Sequence, residues 1–176
     1  MSTLKVNTIQ EADGSAFPLG KILQVVQHST STRASTTGSS FVATGLSGSI
    51  TTTSANSKIL VLVSQNFSVT STNNSTGGGI NVNRVISGTE TVLDDGPRNS
   101  AGPYGLWVAQ DSGSTTSHYS RYNIQYLDSP SQTAGTSITY NTKMAAYNSN
   151  DTIVAQVGQN ITQQGTSYLN LMEVSA

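Results

Sequence analysis

The chain has 176 residues, no cysteine and a formal net charge of −1, which excludes a disulfide framework, a thiolate metal site and a cysteine nucleophile. Its eight Lys and Arg residues are scattered singly from Lys5 to Lys143, so no basic patch marks nucleic acid as the partner. Serine and threonine make up roughly three in ten residues; a chain that polar stays disordered unless apolar stripes recur and net charge is low, and both conditions hold here.

In chain order, Leu4, Val6 and Ile9 punctuate a short extended stretch that closes at Asp13-Gly14, and Pro18 and Gly20 break the pattern before the next apolar run. Residues 1–19 are expected to be a terminal segment docking outside the main domain, with a frayed end or first edge strand as the alternative. Residues 20–176 are expected to form the domain itself. No basic segment leads into an apolar stretch, so no secretory signal is expected. No apolar run approaches the ~20 residues that span a bilayer, so no membrane insertion is expected.

From residue 20 on, strand signals follow one another. Ile22–Val26, Phe41-Val42 and Leu46–Ile50 come first. The continuous run Ile59-Leu60-Val61-Leu62-Val63, extending through Phe67 to Val69, reads as a strand covered on both sides. Asn73–Gly79, with three consecutive glycines, reads as a flexible loop. Ile80, Val82, Arg84 and Ile86 alternate with Asn81, Asn83 and Val85 as in a half-buried strand. Val92-Leu93 leads into the turn signal Asp94-Asp95-Gly96-Pro97. Alternation recurs at 104–109, 121–126 and 138–144, and Ile153–Val157 and Tyr168–Val174 complete the pattern. No segment keeps apolar residues at helical spacing over three turns. Eight to ten strands with turn signals between them predict an all-β antiparallel sandwich with little or no helix.

Catalytic chemistry is short of parts. His28 and His118 are the only histidines, some ninety residues apart, and no G-x-S-x-G elbow singles out one serine among so many. Both histidines are expected to be structural or surface residues. Asp94 and Asp95 are adjacent in a turn rather than facing across a cleft, as glycoside hydrolysis requires, and calcium-loop spacing is absent. Gly77-Gly78-Gly79 has no Lys-Ser/Thr pair after it and is no phosphate loop. No enzyme activity, cofactor or metal is expected. Trp107, Tyr104, Tyr119 and Tyr122 form the one aromatic cluster. Core or subunit-interface positions are the first reading for it, and stacking against sugar rings, chiefly by Trp107, Tyr104 and Tyr119, is the second.

The opening Met-Ser-Thr-Leu-Lys-Val-Asn-Thr-Ile-Gln (residues 1–10) and Gly-Lys-Ile-Leu-Gln-Val-Val-Gln (20–27) resemble the corresponding parts of short tail-fibre-like and capsid-appendage structural proteins of marine tailed bacteriophages. Ser57–Val63 and Tyr168–Val174 are similar to the inner strands of those knobs. The resemblance covers nearly the whole chain, is specific at the N-terminal segment and loose in the middle, and departs from a full fibre in lacking a shaft. It implies a homotrimeric, jelly-roll-like sandwich projecting from a virion and attached by residues 1–19, with Leu4, Val6 and Ile9 adding a strand to a capsid or tail protein. It carries over no catalytic residue and fits a tail position and a capsid position alike. Loops 71–79, 94–103 and 111–117 are expected to face outward. A host-surface glycan is the candidate further partner, in a glycan-binding module as the alternative function, and a polysaccharide depolymerase ranks third.

Overall fold

The computed structural model describes residues 20–71, 75–94, 98–99, 102–103, 107–110, 116–147, 149–158, 160 and 162–176. Among them every regular element is a strand, as the sequence predicts. In chain order these are β1 (Ile22–Thr30), β2 (Ala34–Thr36), β3 (Val42–Thr51), β4 (Lys58–Ser71), β5 (Ser75–Ile86), β6 (Thr89–Asp94), β7 (Arg98–Asn99), β8 (Gly102–Pro103), β9 (Trp107–Gln110), β10 (Thr116–Asp128), β11 (Ser137–Ala146), β12 (Asp151–Ala155) and β13 (Ser167–Val174). The expected terminal segment, with Leu4, Val6 and Ile9, lies outside the described residues.

The eight strands of six residues or more pair as nested hairpins: β1 with β13, β3 with β11, β4 with β10, and β5 with β6, all antiparallel. Rolling that long ribbon brings β13 against β4 and β11 against β5. Two sheets result, β1-β13-β4-β10 and β3-β11-β5-β6. This is the jelly-roll arrangement, in which two packed sheets leave few open edges. Short strands extend it, with β12 and then β2 joining the far end of β4, and β9 joining the start of β5.

Alternation along each long strand sends one set of side chains between the sheets. Ile59, Val61, Val63, Phe67 and Val69 of β4 and Leu169 and Leu171 of β13 face Leu46 and Ile50 of β3, Ile80 and Val82 of β5, and Ile138, Tyr140 and Met144 of β11. His28 points inward from β1 and lies flat on Gly48 of β3, where a Cβ would come within 2.0 Å of its ring. Its Nε2 is 3.1 Å from Ser49 O. That histidine is a packing element, as expected.

Two local readings are corrected. Gly77-Gly78-Gly79 is not a loop: it lies inside β5, paired with β9 and β11. A Cβ on Gly78 would meet Ala145 O and Ile153 Cδ1 at 3.0 Å, so a side chain there would press on the neighbouring chain and glycine suits the close approach. Of the loop expected at 71–79, Ser71 belongs to β4 and residues 75–79 to β5, and of that expected at 111–117, Thr116 and Ser117 belong to β10. Nor is β5 half-buried over residues 77–83, where both faces are covered; residues 84–86 are half-buried. Asn81 and Asn83 are as buried as Ile80 and Val82, because Asn83 Nδ2 donates to Asn81 Oδ1 (2.9 Å) and Asn141 Oδ1 (3.3 Å), which removes much of the cost of burying amides.

A buried ionic contact ties the sheets together. Asp128, ending β10, accepts from Arg84 Nη1 of β5 and from Tyr140 Oη of β11, each at 2.7 Å. Burial first, then the hydrogen bond to Asp128, pushes the Tyr140 phenol well above its usual value, so it remains a donor. Removing the cation strands a buried carboxylate, which is the costly way to break such a pair. Arg84→Ala is therefore expected to lose about 3 kcal/mol of stability in urea unfolding, and Tyr140→Phe about 2 kcal/mol.

Candidate assembly surface

The side of β1-β13-β4-β10 that faces away from the other sheet divides into two chemistries. Near its β13 C-terminal end, the register sets Val25 opposite Met172, Met172 opposite Leu60, and Leu60 opposite Leu127. These four outward side chains form one apolar row across the sheet. Ile22 extends it on one side and Leu62 on the other. Val25, Ile22 and Leu127 are 57%, 55% and 53% exposed, whereas Leu60 and Met172 are half-buried by their neighbours.

A bulge builds part of this row. Ile22 pairs with Val174 and Gln24 with Glu173, leaving Leu23 as the extra residue. Strict alternation would put Ile22 and Val25 on opposite faces. The bulge brings both to the same one.

Along the sheet, beyond Leu62, the outward side chains are polar and several are bonded in pairs. Gln27 Nε2 donates to Asn170 Oδ1 (2.7 Å), and Ser64 Oγ donates to Asn123 Oδ1 (2.8 Å). Farther on, Arg121 Nε donates to Asn66 Oδ1 (2.8 Å), and Thr70 and Ser117 hydroxyls share a 2.8 Å bond. Each is a cross-strand pair.

Directly beneath the apolar row, one residue along each strand, runs the inward row Gln24–Glu173–Ile59–Asp128. Its two carboxylates hold that end of the sheet. Glu173 is buried without a cation. It accepts instead from Gln24 Nε2 (2.6 Å), Thr53 N (2.8 Å), Thr53 Oγ1 (2.8 Å), Ser54 N (3.1 Å) and Ser57 Oγ (2.7 Å). Burial pushes its pKa upward, but the hydrogen bonds from Ser57, Gln24 and Thr53 outweigh that and lower it to about 2. The 52–57 turn thus wraps an anion and fastens β1 and β13 to the connection between β3 and β4.

The residues singled out for sugar contact are dispersed. Tyr104 lies outside the described residues, and Trp107 is placed by its backbone alone, in β9 opposite Gly78 of the second sheet. Tyr119 is on β10 of the first sheet and faces outward, 36% exposed. It lines an open depression of about 300 Å³ with Asn66, Ser120, Val157 and Gly158. Tyr122, three positions along β10 from Tyr119 and so on the opposite face, is a core residue. Asn66 floors the depression where β4 changes partner from β13 to β12. Its N and Nδ2 donate to Ser167 Oγ and Thr166 O, each at 3.0 Å, and its carbonyl accepts from Gln156 N at 2.8 Å.

Neither the apolar row nor the Glu173 turn was singled out in the sequence. The signal was present for the row: Leu127 follows the inward series Tyr122, Ile124, Tyr126, and so must point outward. Leu60 and Leu62 occupy alternate places in a run that reads as covered twice. The Glu173 turn had no signal, since its donors come from residues 24 and 53–57. Among the described residues no three His, Asp or Glu side chains gather as metal ligands, and no helix is long and apolar enough to cross a membrane.

No family model and no curated protein matches the chain. A solved structure similar to it is a chain of the infectious bursal disease virus Gx strain, at 14% identity and a TM-score of 0.34, with 98% of this chain covered. The chain spans 42% of the length of that one.

The Glu173 carboxylate has a pH consequence. Its folded pKa is below the ordinary carboxylate value of 4.5, so its contribution to stability is fully present above about pH 4.5 and fades as pH falls toward 2. Glu173→Gln is expected to cost about 2 kcal/mol at pH 7 and to flatten the acid limb of the stability profile, with the two proteins converging near pH 2. Thermal unfolding across pH 2–7 reads both effects.

Proposed function

We propose that the protein is a non-enzymatic structural component of a bacteriophage virion, a homotrimeric appendage held to a capsid or tail protein through residues 1–19. The observation that carries the assembly part is the apolar row of Val25, Met172, Leu60 and Leu127, exposed or half-exposed on a sheet where several of the other outward groups are hydrogen-bonded in cross-strand pairs. The virion part rests on the resemblance of the terminal and inner-strand segments. The jelly roll adds an argument from fold analogy, because viral capsid domains use that architecture among others.

The titratable groups support a structural role. Asp128 and Glu173 are engaged in holding sheets and turn together, and His28 fills the space over Gly48. A glycan-binding role on the host surface is the second reading, favoured by the exposed Tyr119 beside an open, mostly uncharged depression. Sugar rings present an apolar face to an aromatic side chain and hydroxyls to its polar rim.

Locating the chain on purified particles tests the first reading: it is expected in stoichiometric amount on intact virions, and its absence from them overturns the reading. Deleting residues 1–19 is expected to abolish incorporation while leaving far-ultraviolet circular dichroism of the remaining chain unchanged. For the second reading, Tyr119→Ala is expected to reduce binding to host cells at least tenfold with unfolding unaffected, and unchanged binding rejects it.

A further inference from the structure

The run Ile59–Val63 has the composition of a strand covered on both sides, and among the described residues only the side of Ile59, Val61 and Val63 is fully buried. Leu60 and Leu62 face out. We propose that the outward face of β1-β13-β4-β10 is the surface on which a second copy of this chain packs, with the row Val25–Met172–Leu60–Leu127 at its centre. This rests on the assembly reading above and names the residues that perform it.

Three observations choose a copy of the chain as the occupant. First, the row and the two rows beyond it, Gln27–Asn170–Leu62–Gln125 and Ser29–Tyr168–Ser64–Asn123, contain no ionisable group except the Tyr168 phenol. The cations of this face, Lys58 opposite Val174 and Arg121 bonded to Asn66, stand toward its two ends, so its centre gives a charged partner nothing to pair with, whereas a copy brings an equally neutral centre.

Second, the polar side chains of those rows already satisfy part of their own hydrogen bonding, through Gln27–Asn170 and Ser64–Asn123. They can therefore be covered by an apolar surface at reduced desolvation cost, since the penalty falls on groups left without partners.

Third, the size is suitable. Four strands about 4.8 Å apart and four outward rows about 6.8 Å apart span ~19 by ~27 Å, or ~500 Å² of projected sheet. A standard interface buries about 800 Å² per partner, and the accessible surface of protruding side chains exceeds its projection. Around a threefold axis each copy's face meets different parts of its two neighbours' faces, and such a heterologous contact closes into a ring of three instead of propagating.

Rigidity completes the case. The row stands on strands whose inward neighbours, Glu173 and Asp128, are tied to the 52–57 turn and to the opposite sheet. The outward side chains are thus presented on a fixed surface, and little order remains to be imposed on association.

The test uses the full chain and light scattering at about 100 µM. Wild type is expected at three times the 18.4 kDa chain mass, and Leu127→Lys and Val25→Lys at the mass of one chain, a threefold fall, with circular dichroism unchanged. Ser117→Lys, on the same face but about 33 Å along the strand, is expected to keep the wild-type mass. Because the chain lacks cysteine, Leu127→Cys with a short bismaleimide supplies a second measurement that introduces no charge: cross-linked pairs are expected, and few from Ser117→Cys. If both lysine variants fold and remain assembled, or if Leu127→Cys fails to cross-link, the proposed surface is wrong while the assembly reading stands. A monomeric wild type overturns the surface and the trimer together, and leaves location on the particle as the separate test of the virion reading.

Discussion

Two buried carboxylates on either side of Ile59 constrain much of this molecule. Asp128 and Glu173 occupy one inward row and solve the same problem by different means. Asp128 has a guanidinium and a phenol from the opposite sheet, so its charge is neutralised where it joins two layers. Glu173 has no cation and is held by hydroxyls, an amide and two backbone N–H groups from the 52–57 turn. The low folded pKa follows because these donors stabilise the charged form more than burial opposes it. In a chain with few charges and a modest apolar set, such contacts give the sandwich end a defined geometry that aliphatic packing alone would specify less sharply.

The same geometry connects fold to function. Alternation makes the carboxylate row and the apolar row adjacent layers of the same four strands, one facing in and one facing out. Whatever fixes Glu173 and Asp128 also fixes Met172 and Leu127 beside them. The bulge at Leu23 then adds Ile22 to the outward set. A surface for another copy of the chain, which is our proposal, thus needs no separate scaffold. The polar remainder of the face, partly paired within itself, contributes breadth, with its cations Lys58 and Arg121 away from the centre.

Composition reads differently against this arrangement. The serine, threonine and asparagine that resemble a disorder signal are distributed over outward rows, turns and buried hydrogen-bonded pairs such as Thr44 with Thr142 at 2.6 Å. Hydroxyls and amides act here as short cross-links between strands, so a thin apolar core holds two sheets. The aromatic residues are used separately: Tyr140 in the sheet-to-sheet contact, Tyr122 in the core, Tyr119 outward beside the depression.

Periodicity by itself determined that the regular elements are strands and which residues of β10 and β11 face the core, because a period of two is a local property of an extended backbone. It also carried the signal that Leu127 lies opposite the core, since Leu127 follows the alternating series Tyr122, Ile124, Tyr126, whereas the unbroken run Ile59–Val63 left open which alternate set faces in. Only the tertiary structure decided the nesting of β1 with β13 around the rest, since pairing partners some 150 residues apart leave no local trace. It alone placed Gly77–Gly79 in a strand, where glycine suits the approach of Ala145 and Ile153, and aligned Val25, Met172, Leu60 and Leu127 into one row. Register across four strands and a single bulge decide that alignment. Neither is encoded at any one position of the sequence.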